Sequence, residues 1–269
     1  MSDESTKEKG SIEHAVNRLE LDIDGAVLKP HELMAQLMDL RGSVTISDFL
    51  LEPDVPPDAQ PSHPASVKAL AASVFADVRE SLTFSIENAY RPRYRLPTAD
   101  RAWAVLKRTQ VLDSYIKGSR VDRKAALKSA SRLIWAPFGE FIETRLKRAR
   151  FALRDLREEL TGLLIGLGEA SADVERLDYA LRTAIEAETT KFYQRIGYWA
   201  NVEFTKALAD ALNELPQVAD SDAFSIGFNE TGWLGTIFGD AMELVVSVTE
   251  HEIGQIINLI ENAIKASKD

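Results

Sequence analysis

The chain has 269 residues, a net charge of −10 and no cysteine, which excludes a disulfide framework, thiolate zinc sites and cysteine nucleophiles together. Hydrophobic residues make up 45% and charged residues 28%, enough to bury a sizeable core and incompatible with disorder over the whole chain. The opening Met1–Gly10 (MSDESTKEKG) is polar, without the apolar centre of a secretory signal, and no stretch reaches the ~18 uninterrupted apolar residues of a membrane helix. A cytoplasmic protein with no direct membrane insertion is expected.

In chain order, residues 1–10 read as a disordered tail and 11–52 as a short N-terminal helical segment. In it Pro30 suits a first helical turn, and Leu33, Met34, Leu37, Met38 and Leu40 form a stripe that ends at Gly42. Val44–Ile46 is the best short strand candidate. Five prolines within 53–64 mark 53–65 as a Pro-rich linker, since each lacks an amide donor. A helical core is expected over 66–216. Its first helix spans 66–90, where Val67, Leu70, Val74, Val78, Leu82 and Ile86 recur at spacings of three and four. Arg91–Pro97 ends it. Thr98 caps a second helix carrying Trp103, Leu106, Gln110 and Tyr115 before Gly118, and a third runs from Val121 to Trp135, interrupted near Pro137 and Gly139. The next, about 140–167, has Phe141, Leu146, Ala149, Leu153, Leu156 and Leu160 in one stripe and stops at Gly166 and Gly168. Ser171 or Asp173 opens a last core helix that runs to about Leu212. The two long consecutive helices joined by a short glycine turn read as an antiparallel hairpin. A polar connector, 217–235, and a C-terminal helix, 236–266, complete the chain. The class is all-α, an elongated helical bundle with a long antiparallel helical hairpin; no fixed-period repeat is visible.

Catalytic constellations are hard to find. His14, His31 and His63 have no partner at metal-ligand spacing. His251-Glu252 resembles half of a zinc-protease helix motif, but Gln255 stands where the second histidine is needed. Glycines 227, 232, 235 and 239 lack the lysine and hydroxyl residue of a phosphate loop, and close helix contact explains them better. Phe224, Phe228 and Trp233 in the connector more simply pin it to its own core than anchor a partner. Glu186 and Glu188 cannot share a helix face; Asp240 and Glu243 could, but no nucleophile or base accompanies them. No catalytic residue, metal or cofactor is expected, and the chain reads as non-enzymatic.

The sharpest feature is the distribution of charge. Arg91 to Arg157 holds 18 Lys/Arg against 6 Asp/Glu, a local net of +12 in an otherwise acidic chain. Arg91, Arg93 and Arg95 interleave with Tyr94. Arg120, Arg123, Lys124, Lys128 and Arg132 then line successive helical turns, and the series from Arg145 through Arg148 to Arg157 extends the charge. Arginine forks suit phosphates and interleaved aromatics can stack bases, so the segment is a candidate site for nucleic acid or an acidic partner. The alternative is that these cations pair with the acidic remainder of the chain.

From about Phe141 to Leu208 the sequence resembles an uncharacterised helical family of proteobacterial proteins. The resemblance is carried by LRDLREEL (Leu153–Leu160), a Gly/Ser turn, VERLDYALRTAIEAE (Val174–Glu188) and the aromatic run from Lys191 to Phe204. Genes of this type lie beside MotA/TolQ-like and OmpA/MotB-like motor genes, and such proteins look like the ZorF component of type III Zorya anti-phage systems. The resemblance implies a cytosolic accessory or effector acting with an inner-membrane motor complex, and no catalytic residues come with it. The expected reading is therefore a homo-oligomeric, non-enzymatic binding protein that meets other defence subunits, its long hairpin supplying the oligomer surface. DNA binding through the basic segment is the alternative.

Overall fold

The period-3.6 pattern of the core sequence forms helix throughout the computed structural model, which describes residues 61–91, 94–116, 122–215 and 221–268. Seven α-helices occur among these residues, and no strand. They are α1 (Pro64–Glu87), α2 (Ala99–Arg108), α3 (Val111–Ile116), α4 (Arg123–Ile165), α5 (Glu169–Glu214), α6 (Ser221–Ser225) and α7 (Trp233–Ala266). The fold is all-α, and no described helix is long and apolar enough to cross a membrane. The tail, the 11–52 segment with its Val44–Ile46 strand candidate, and most of the Pro-rich linker lie outside the described residues.

The chain forms two compact units, each containing parts of α1, α4, α5 and α7. In the first (up to Ser81, with Arg148–Tyr193 and Ser247–Asp269), aliphatic stripes meet: Val67, Ala71 and Val78 of α1, Leu153, Leu156 and Leu160 of α4, and Ile253, Ile256 and Ile260 of α7 are all buried. Three residues join α4 to α5. The last, Gly168, has φ +135°, a left-handed conformation that glycine adopts without a Cβ penalty. Beyond the turn Thr161 donates to Glu175 at 2.8 Å, and the Ser171 hydroxyl donates to the Ala263 carbonyl of α7 at 2.7 Å.

The second unit (Leu82–Lys147 with Gln194–Val246) has an aromatic core. Phe138 is fully buried; its ring stacks on Trp135 at 5.5 Å and meets Phe238 edge-on at 5.7 Å, while Trp135 also meets Phe204 at 5.0 Å. Phe224 of α6 and Phe228 are each 3% exposed and stack at 5.1 Å, with Phe224 against Trp103 of α2. These two rings pin the 217–235 connector to its own core, as expected. Its glycines allow this: a Cβ on Gly235 would collide with the Glu230 carbonyl, and one on Gly232 with that of Gly227.

Three local expectations change. Thr98 caps α2, accepting from the Arg101 amide at 3.4 Å, but the expected single helix ends at Arg108. Gln110 takes φ +59° and restarts the chain as α3. The connector is not wholly irregular, because Ser221–Ser225 is helical and α7 starts at Trp233. Most consequentially, no interruption occurs at Pro137, which sits inside the continuous 43-residue α4. The proline removes one amide donor, the one that would reach Leu133. Leu133 is 46% exposed, on a side that water reaches, while Trp135, Phe138 and Phe141 clamp the other side. Aromatic packing outweighs one lost hydrogen bond here.

Pro137→Ala restores that bond. An interior proline costs about 3 kcal/mol relative to alanine, against roughly 1 kcal/mol returned through the freer unfolded chain. The variant is expected to gain about 2 kcal/mol, read as a higher urea midpoint at unchanged slope.

Candidate partner-binding surface

The basic segment divides into cations that the fold consumes and cations that it leaves exposed. In the first unit Arg157, with its side chain only 10% exposed, donates to Asp178 at 2.9 Å, and Arg182 reaches the same carboxylate oxygen at 2.7 Å. Burial pushes the Arg157 guanidinium below its ordinary value, and the Asp178 carboxylate opposes that shift. Arg150 lies 4.1 Å over the Tyr193 ring and 3.6 Å from Glu252, which also accepts the Tyr193 hydroxyl. Burial first, then the Glu252 carboxylate, raises the Tyr193 hydroxyl well above the ordinary tyrosine range. Arg79 forks onto Glu250 through two bonds, at 2.7 and 2.5 Å. Arg148 stands exposed in this unit.

In the second unit Arg145 is buried, its guanidinium over Tyr94 at 4.9 Å and Phe141 at 4.7 Å. Tyr94 is thereby half-buried, edge-on to Phe141 at 5.0 Å. Arg91 is exposed beyond the end of α1, and Arg95 is exposed with φ +55°. Arg93 and Arg120 lie outside the described residues. Arg123 bends back to donate to the Ser114 carbonyl at 2.9 Å and covers Tyr115 at 4.7 Å. Beyond it on α4 come Lys124, Lys128 and Arg132. All three are exposed, and their i, i+4, i+8 positions put them in one row on α4. Asp122 caps this helix, accepting from the amides of Lys124 (3.0 Å) and Ala125 (3.2 Å). The first turn contains no acidic residue.

His251 engages Gln255 one turn on, at 3.1 Å. Neither the Tyr193–Glu252 pair, 59 residues apart, nor a cleft of about 550 Å³ in the second unit has a signal in the local sequence pattern. That cleft is lined by Ile86, Tyr90, Phe238 and Met242 with Glu87, Arg91 and Glu230. The Tyr90 hydroxyl is buried there without a hydrogen-bond partner.

No protein-family model, curated protein or solved structure matches the chain.

Burial, and secondarily the Glu230 carboxylate, pushes the Tyr90 hydroxyl up to about 12 from the ordinary 10.0. The unfolded chain therefore loses this proton first. The stability contributed by neutral Tyr90 is complete below pH 10.0 and is lost as pH rises towards about 12. Tyr90→Phe should make the decline in urea midpoint shallower over that window; Tyr193, raised in the same direction, keeps it from vanishing.

Proposed function

We propose that this protein is a non-enzymatic helical adaptor or effector of a Zorya-like anti-phage defence system. It self-associates and works in the cytoplasm against an inner-membrane motor complex, meeting an acidic partner through Lys124, Lys128 and Arg132. The placement of these three cations carries the binding part of the reading. They are exposed in one row at the N-terminal end of α4, the end where a helix dipole favours anions. Other cations of the same segment are spent on internal carboxylates and rings, as at Arg157 and Arg145. The defence assignment rests on the resemblance over Phe141–Leu208.

A second reading, DNA binding, is favoured by the geometry of the same row. With a rise of about 1.5 Å per residue its cations are about 6 Å apart, a spacing suited to successive backbone charges on one strand.

Co-expression with the MotA/TolQ-like and OmpA/MotB-like subunits tests the first reading. The wild-type chain is expected to co-purify with them, and the K124E/K128E/R132E variant to lose at least ten-fold in capture at unchanged helicity. Undiminished capture of the variant, or no capture of the wild type, overturns it. For DNA, the salt dependence of duplex binding decides. Removal of three phosphate contacts should reduce the log–log slope by roughly 2.7, and no gel-shift at low salt removes this second reading.

A further inference from the structure

The cleft of about 550 Å³ in the second unit lies between the end of α1 and the first turns of α7. Its size is that of a small-molecule site. Ile86, 38% exposed, and Met242 line it together with the Tyr90 and Phe238 rings, which meet edge-on at 5.7 Å. Gly235 and Gly239, about one turn apart on α7, bring bare helix backbone to the same space. The two glycines differ. A Cβ on Gly235 would strike the Glu230 carbonyl, whereas one on Gly239 would meet nothing within 4 Å. Packing therefore gives no reason for glycine at 239, although glycine weakens a helix interior more than any residue except proline. Its missing side chain keeps the cleft open.

The polar groups of the cleft are unmet as well. Glu87 enters from α1 and Glu230 from the connector, both exposed, and Arg91 is the third charge. No described residue forms an ion pair with any of them. Two carboxylates against one guanidinium leave the lining with a net charge of −1. The Tyr90 hydroxyl, buried within the field of the Glu230 carboxylate, has no hydrogen-bond partner, and a deficit of that kind is rare in a folded protein.

We propose that this cleft binds a small primary amine with an apolar body about the size of one aromatic ring. An ammonium group has three donors and no acceptor, and Glu87, Glu230 and Tyr90 each offer it an oxygen without a partner. One positive charge balances the net charge of the lining, and the faces of aromatic rings attract a cation. The apolar body covers Ile86 and Met242. A carboxylate ligand would instead meet two like charges. A metal ion is not the cation, because no cluster of three metal-ligating side chains occurs among the described residues. The site uses none of the cations of the row on α4.

Met242 is one of four methionines and lines the cleft, so methionine-methyl NMR of the full-length chain reads the site directly, with Met242→Leu supplying the assignment. Titration with 2-phenylethylamine at neutral pH is expected to shift the Met242 resonance to saturation. 2-Phenylethanol and 3-phenylpropanoate keep the ring without the positive charge and should bind at least ten-fold more weakly. Gly239→Leu fills the cleft and puts a good helix former in place of a poor one. It should abolish the shift at a Tm no lower than that of the wild type. E87Q/E230Q alters two exposed positions; it should weaken the amine at least ten-fold and leave 2-phenylethanol unchanged. Absence of a Met242 shift with the amine overturns the proposal. Equal binding of the three probes, or undiminished amine binding by E87Q/E230Q, overturns it too.

Discussion

A guanidinium taken out of water must meet an anion or a ring, and that requirement organises the first unit. Arg157, nearly buried, has Asp178 at 2.9 Å, and the same carboxylate holds Arg182. About two turns earlier on α4, Arg150 lies over Tyr193 and near Glu252, so α4, α5 and α7 are tied through one patch of charge. The net contribution of such pairs to stability is small, because desolvation offsets much of the attraction. Their effect lies in register: slipping α5 against α4 by one residue would leave Arg157 buried without its anion, at a cost of roughly 3–5 kcal/mol. The aliphatic stripes around them would tolerate such a slip far better.

The same requirement gives the basic segment two roles. A local net charge of +12 in an acidic chain suggests one continuous positive surface. Yet Arg145, Arg150 and Arg157 lie on the inward side of α4, where carboxylates or aromatic rings receive them. Among the outward cations, Lys124, Lys128 and Arg132 form a row on one helix, with Arg91, Arg95 and Arg148 exposed elsewhere. Internal pairing therefore explains part of the segment, and the exposed remainder is what a partner can meet.

How much of this the sequence shows depends on whether the deciding contact is local. Thr98 as a cap, Gly168 as a left-handed stop and the all-helical class follow from neighbours within a few positions, and all three are legible. Phe224 and Phe228 were legible as core residues from the aromatics and glycines around them. The continuous passage of α4 through Pro137 was not, because it depends on Phe204 and Phe238 clasping the opposite side, rings far away in the chain. The left-handed Gln110 is the reverse case. Helical spacing continues across it, and only the turn of the backbone into α3 brings Val111 and Leu112 into the core. The basic residues were legible as a group, but their division into inward and outward members was not. That division depends on Asp178, Glu252 and Tyr193, which enter from α5 and α7.

The outward row stands at the wrong end of its helix for stability. The first turn of α4 contains Arg123 and Lys124 and no acidic residue, although a cation there opposes the dipole by about 0.3–1 kcal/mol. Like charges four apart, Lys124 with Lys128 and Lys128 with Arg132, add roughly 0.2–0.5 kcal/mol each. Arg123 relieves its share by folding back onto the Ser114 carbonyl and Tyr115, and Asp122 caps the amides of Lys124 and Ala125. The other three have no such relief among the described contacts. The penalty is on the order of 1–2 kcal/mol, a noticeable part of the stability of a domain, and acidic or neutral residues at those exposed positions would avoid it without disturbing any packing. An arrangement that costs stability and supports no internal contact among the described residues is the kind that the proposed anionic partner would relieve, by neutralising the row on binding.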